Sequence, residues 1–199
     1  VITGGNHIWQ HAEARELLDS DPRILRPANY PPGTPGSGSA VAADRQGRKV
    51  GVLNLEGRVF MHPLDDPFRL AEREAERLRQ ETPVIIVDFH AEATSEKAAL
   101  AWFLDGKVSA VIGTHTHVQT ADGRVLPGGT AFISDAGMTG PRDGIIGMGR
   151  KEVLERFLTQ RPTRFQVEPG PAQLNAVIVD ADEETGRARQ IRPLFLVED

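Results

Sequence analysis

The run Pro83-Val84-Ile85-Ile86-Val87-Asp88-Phe89-His90 limits what this chain can fold into more than any other segment. Four consecutive apolar residues, Val84 to Val87, leave no polar face, so a strand built from them has to be buried on both sides. It belongs inside a sheet that is covered by two layers. The flanking segments supply layers of the right kind. From Asp66 to Gln80, residues Phe68, Ala71, Ala75 and Leu78 recur at spacings of three and four, the pattern of a helix with one apolar face. Ser95 to Leu104 predicts a second helix, with Thr94 or Ser95 as its N-cap and Glu96 in its first turn. KVSAVIG (107–113) and GTAFISD (129–135) predict further strands. Shorter helices are expected from Trp9 to Leu18 and from Lys151 to Leu158.

Strands and helices alternate only in the middle of the chain. AVAAD and KVGVLNL flank a Gly-containing turn and predict a hairpin near the start, and residues 174–198 predict another at the end. The expected architecture is an α/β domain with a mixed sheet, or two sheets packed together. Residues 1–199 are expected to form a single domain. Val1-Ile2-Thr3 looks like the end of a strand entering a glycine turn, and two or three residues cannot hold a place in a buried sheet. The expectation is therefore that this domain is N-terminally incomplete and that a segment before Val1 completes it.

Charge and composition narrow the function classes. The net charge is −5, which disfavours non-specific nucleic-acid binding driven by bulk positive charge but allows a locally positive site for a small nucleotide. The absence of cysteine removes disulfides, thiolate zinc sites and cysteine nucleophiles together, and fits a cytoplasmic location. No apolar run approaches the ~20 residues of a membrane span. No secretory signal pattern is present.

Four of the six histidines sit where a predicted strand gives way to a loop. His90 ends VIIVDF, His115 and His117 follow SAVIG, and His7 follows VIT through two glycines. In open α/β sheets, sites gather at the carboxyl ends of strands. In extended backbone, residues i and i+2 point the same way, so His115 and His117 can share one metal or hold one each of two. Taken alone, a His-x-His pair is more simply two polar loop residues facing water; His90 and His7 at equivalent positions turn the balance towards a metal. Asn6 offers a neutral oxygen ligand, or else caps the helix near Trp9. Gly4 and Gly5 let the backbone turn tightly enough to aim Asn6 and His7 inward.

The order GGNH (4–7), DFHAE (88–92) and GTHTH (113–117) resembles the calcineurin-like metallophosphoesterases. Together with GRVFM (57–61) and GMTGP (137–141), it resembles their YmdB-like branch, bacterial dinuclear-metal phosphodiesterases acting on 2′,3′-cyclic nucleotides. The resemblance implies two packed mixed β-sheets flanked by helices. It implies that Asn6, His90 and His115 bind a second metal and His117 a first. His7 would face the substrate phosphate and protonate the leaving oxygen, without being a ligand. Two metal ions, iron and/or manganese with zinc also suited, would activate a bridging hydroxide. The family's Asp motif and Asn-Gly-Glu-Asn motif, which complete the ligand set, have no counterpart here and are expected before Val1.

Other residues carry less. Asp88 and Glu92 flank His90, and either orients an imidazole or is a solvated carboxylate. Thr114 and Thr116 bond phosphate or simply finish the strand. Arg142 meets a phosphate or stays on the surface. His11 and His62 are structural or solvent-facing, and Trp9 is a core anchor. The expected partner is a small phosphodiester or cyclic nucleotide, with no membrane, and the apolar PLFLV (193–197) is either core or a homo-oligomer contact. Two other classes share these features: a metal-binding regulator of the same fold without important catalysis, and a zinc amidohydrolase. The latter places its His-x-His on the first barrel strand, whereas here the pair comes late.

Overall fold

The apolar run forms the middle of a sheet. In a computed structural model, which describes residues 1–198, the strand β5 (Ile85–His90) has parallel neighbours on both sides. The elements in chain order are β1 (Ile2–Thr3), α1 (Glu13–Ser20), β2 (Ile24–Leu25), β3 (Ser39–Ala43), β4 (Lys49–Glu56), α2 (Pro67–Arg79), β5 and α3 (Thr94–Phe103). They continue with β6 (Ala110–Thr114), β7 (Arg124–Val125), β8 (Ala131–Ile133), β9 (Gly140–Pro141), α4 (Arg150–Thr159), β10 (Ala172–Ala181) and β11 (Ala188–Val197). The main sheet has the order β3-β4-β5-β6-β8-β7, parallel from β4 through β8 with an antiparallel strand at each edge.

The two faces of this sheet pack differently, and strand periodicity decides which residues go where. Ile85, Val87 and Phe89 face α2 and α3, where they meet Ala71, Ala75 and Leu78 of one helix and Leu100, Ala101 and Leu104 of the other. Ile86 and Ile112 point the other way, onto Val179 and Ile191 of the β10–β11 hairpin. The helix α2 begins where its sequence predicts. Asp66 accepts from the backbone N–H of Phe68 at 2.8 Å, and Pro67 takes the first helical position, where no donor is needed.

Four details differ from expectation. The second sheet is β11-β10-β9 and is antiparallel rather than mixed, because the loop 182–187 folds two ten-residue strands back on each other and β9 pairs antiparallel with β10. The strand β1 is not a member of the main sheet; it pairs in parallel with β2, a strand the sequence did not suggest. The first helix starts at Glu13, not near Trp9. The chain turns at Ile8 and Gln10, whose N–H groups bond the carbonyls of Gly5 and His7, and this sets the Trp9 ring edge-on to Tyr30 at 5.7 Å. Finally, α3 is capped by neither Thr94 nor Ser95: Ala93 is its N-cap residue, and Lys97 N–H bonds the Ala93 carbonyl.

Candidate metal centre

Three segments deliver side chains to one point at the carboxyl end of β5. Glu56, His90 and Thr114 are in register on β4, β5 and β6 and so share a face of the sheet. The loop after β1 crosses over that face. It comes so close that a Cβ on Gly5 would lie 2.4 Å from the His90 ring, so only glycine fits there. This approach puts the Asn6 side-chain oxygen 3.0 Å from His90 Nε2. His115, just past β6, brings its Nδ1 to 3.1 Å from the same nitrogen.

The hydrogen-bond partners determine what those three atoms can be. The Thr114 hydroxyl donates its one proton to Asp88 Oδ1 at 2.8 Å. It therefore accepts from His90 Nδ1, 3.1 Å away, and His90 carries its proton there. His90 Nε2 is left as a bare lone pair. His115 Nε2 lies 3.0 Å from Glu92 Oε2, which can only accept, so the His115 proton sits on Nε2 and its Nδ1 is bare as well. With the amide oxygen of Asn6, three atoms without hydrogen point at one another, an arrangement that is repulsive until a cation enters. Metal–nitrogen and metal–oxygen bonds of ~2.0–2.2 Å put neighbouring donors ~3 Å apart, so the residues present fit one ion. Among the described residues no group of three or more His, Asp or Glu side chains could hold a metal, and the third donor here is an amide.

Electrostatics agree with neutral imidazoles. Burial, and then the charges of His115, Lys97 and His7, pull the His90 pKa down from 6.5 to about 4. Burial also lowers that of His115, against the opposing pull of Glu92. Asp88 is pushed up by burial despite hydrogen bonds from Thr3 and Thr114. Asp88 and Glu92 thus both orient an imidazole, Asp88 through Thr114 to His90 and Glu92 directly to His115.

The His-x-His pair is not extended. The strand β6 ends at Thr114, and both His115 (φ 102°) and His117 (φ 67°) occupy left-handed backbone. The cause is the residue between them. Thr116 is turned inward, where its N–H and hydroxyl both donate to Asp135 Oδ2, at 2.9 and 2.7 Å. Asp135 is itself buried and paired at 3.0 Å with Lys97 of α3, which is fully buried. Burial pushes the Asp135 carboxyl up, but hydrogen bonds from Thr116, Gly137 and Lys97 outweigh it and hold the group below its usual range. The histidines are thus splayed by a pinned loop, with His115 turned to His90 and His117 exposed on the side of an adjoining cleft.

His7 is exposed beside this cluster. Gln10 Nε2 donates to His7 Nδ1 at 2.7 Å, which leaves the proton of the neutral ring on Nε2. Three residues went unnoticed in the sequence, Asp135 among them. Lys97 looked like any helical lysine. Glu56 ends β4 opposite His90, is fully buried, and has an Oε1 with no hydrogen-bond partner; burial raises its pKa. Its place at a strand end was the available signal. Of the lesser candidates, His62 is exposed, 3.9 Å from Glu56 Oε1, and Arg142 lines the cleft next to His117.

With the geometry in hand, comparison with known proteins is decisive at the level of family. The model of the family described as YmdB-like protein matches residues 1–194. The chain belongs to this family. It is 50% identical over 199 residues to a 2′,3′-cyclic-nucleotide 2′-phosphodiesterase of Bacillus subtilis, covering all of this chain and 75% of that protein. Two crystal structures align over the whole chain. One is a hypothetical protein from Thermus thermophilus (TM-score 0.92, 45% identity, 77% of that chain). The other is a novel phosphatase from Mycoplasma pneumoniae (TM-score 0.89, 34% identity, 72% of that chain). This YmdB-like chain therefore shares its course through the whole site with proteins that include a named phosphatase.

Proposed function

We propose that this protein is a metal-dependent phosphodiesterase of the calcineurin-like sandwich type that hydrolyses 2′,3′-cyclic nucleotides. The observation that carries the reading is the convergence of Asn6 Oδ1, His90 Nε2 and His115 Nδ1, all without hydrogen. Those three would hold one cation and His117 would contribute to a second. Iron and manganese are the ions favoured, with zinc also suited to imidazole. Bound there, the cations would supply Lewis-acid activation of the phosphate and of water. The 50% identity with a 2′,3′-cyclic-nucleotide 2′-phosphodiesterase supports the choice of substrate.

The chain's own residues have distinct tasks. Asp88, Thr114 and Glu92 fix the tautomers of His90 and His115. Asp135 and Lys97 hold the His115–His117 loop. In hydrolysis a water oxygen bonds to phosphorus while the P–O2′ bond breaks, and the ribose oxygen must gain a proton. His7 Nε2–H, exposed and fixed by Gln10, is the donor for that proton, and the product is a 3′-phosphate. The test is turnover of 2′,3′-cyclic AMP by the purified protein with manganese and after chelation. Metal-dependent release of 3′-AMP is expected. A protein that binds manganese but leaves the cyclic nucleotide intact overturns this reading.

A further inference from the structure

A cleft of about 470 Å³ opens beside His117, and one of its walls is held in a conformation that its residue type disfavours. The wall is the turn Ile145-Ile146-Gly147-Met148. Ile145 N–H bonds the Met148 carbonyl at 2.8 Å and Met148 N–H bonds that of Ile145 at 3.1 Å, closing a two-residue hairpin. Its central residues have φ of 46° (Ile146) and 86° (Gly147), which is the type I′ geometry. Asn-Gly is the pair that suits such a turn. A β-branched residue at positive φ is a true outlier, and Ile146 is also 52% exposed, so burial does not compensate it. Persistent strain of this kind clusters at ligand sites.

The other walls fit the same occupant. Phe195 and Asn175 are register partners on β11 and β10, so they stand side by side on one face. Phe195 is half-exposed, and Asn175 uses its amide N–H on the Met138 carbonyl at 2.6 Å, which leaves its oxygen. Arg142 is the one Asp, Glu, Lys or Arg among the lining residues, and its guanidinium makes no ion pair among the described residues. Apolar faces, an amide acceptor and a cation, with His117 at one side, suit a planar heterocycle attached to an anionic group.

We infer that this cleft seats the nucleoside of the substrate, with Ile146 and Phe195 covering the base and Arg142 on its polar edge. The inference rests on the phosphodiesterase reading for the position of the phosphate at His117. It predicts that the protein binds a nucleotide far better than it binds phosphate. Stacking and apolar contact on a base are commonly lost in steps of about tenfold on substitution.

The test is calorimetric binding of adenosine 3′-monophosphate and of inorganic phosphate to the manganese-loaded protein, its Ile146→Asn variant and its Phe195→Ser variant. The wild type should bind the nucleotide at least about tenfold more tightly than phosphate. Each variant should lose most of that advantage while its affinity for phosphate stays within about twofold. Ile146→Asn should also melt at a higher temperature, because Asn relieves the turn, so a folding defect cannot mimic the result. If the wild type binds nucleotide and phosphate equally, or if both variants keep the advantage, the inference fails. Failure of the phosphodiesterase reading is separate: it shows as bound nucleotide without turnover of 2′,3′-cyclic AMP.

Discussion

Thr114 is a strand-end threonine that does more than finish its strand. Its hydroxyl is the link by which Asp88 sets the proton of His90. Partners that orient a metal-binding imidazole are commonly worth ~10–100-fold in affinity. Thr114→Val keeps the β-branched shape and removes the link, so manganese affinity should fall within that range while the fold persists. An affinity within twofold of wild type would mean that the ring is oriented by packing alone. His7 is the other residue whose task can be isolated. Loss of the ribose oxygen needs a proton, whereas a nitrophenolate leaves without one, and general-acid help is worth ~10²–10⁴-fold. His7→Ala should therefore lose most turnover of 2′,3′-cyclic AMP and far less of bis(nitrophenyl) phosphate, with metal content unchanged. Equal losses would assign His7 to phosphate binding, and lost metal would make it a ligand. At this scale the candidate site was legible in part: His90 and His115 stood out as histidines at strand ends and Asn6 by its place beside His7 after two glycines, whereas Glu56, at an equivalent strand end, did not. Of their hydrogen-bond partners, Asp88 and Glu92 were legible only as groups that orient an imidazole or stay solvated, and the Thr114 link was not, because a threonine or aspartate beside a histidine has the same spelling whichever way it points.

At the scale of elements, strand periodicity foretold β4, β5, β6 and the two long hairpins, and helix periodicity foretold α2 to within a residue at each end. The two-residue strands β2, β7 and β9 escaped, since so short a strand has no period to show, and β1 was legible as a strand end but its pairing with β2 was not. The burial of Lys97 on α3 escaped for a different reason. Lys97 is polar, yet it lies among core residues because Asp135 meets it from the loop after β8, and no local pattern reports a partner 38 residues away. That pair joins the helix layer to the His115–His117 loop. Removing one member of a buried pair strands a charge, at ~3–5 kcal/mol. Lys97→Met should then lower the melting temperature by ~6–20 °C, at ~2–4 °C per kcal/mol for a domain of this size. Adding Asp135→Asn removes the stranded charge and should restore much of that loss. The restored protein should still bind less metal, because the asparagine has one oxygen in place of the two that now serve Thr116 and Gly137. A double variant as unstable as Lys97→Met alone would trace the loss to packing rather than to charge.

At the scale of the molecule, the site is assembled from parts that the chain brings together only on folding: the loop after β1, the end of β5 and the loop after β6. Without a cation the folded state must hold three bare donors together, with His90 neutral and largely buried. The His90 pKa is about 4 in the folded protein against 6.5 as its ordinary value, so between these values the unfolded chain binds more protons than the folded one. Stability therefore rises with pH across that window: it is fully present above about pH 6.5 and is lost as pH falls towards about 4. Burial is the main cause of the shift, so the loss belongs to the chelator-treated protein itself. Added manganese competes with the same protons and should carry stability to lower pH. At a hundredfold excess over its dissociation constant, a ligand of the folded state adds ~2.7 kcal/mol, which for a domain of this size is ~5–11 °C in melting temperature. The measurement is a melting series from pH 4 to 8 with manganese and with chelator, repeated by amide hydrogen exchange at pH 7. Chelation should loosen residues 4–8 and 114–118 before the core strands β4 and β5, whose packing does not depend on the ion. If the two melting series coincide across the whole range, these donors do not hold manganese in solution, and the metal assignment falls with them.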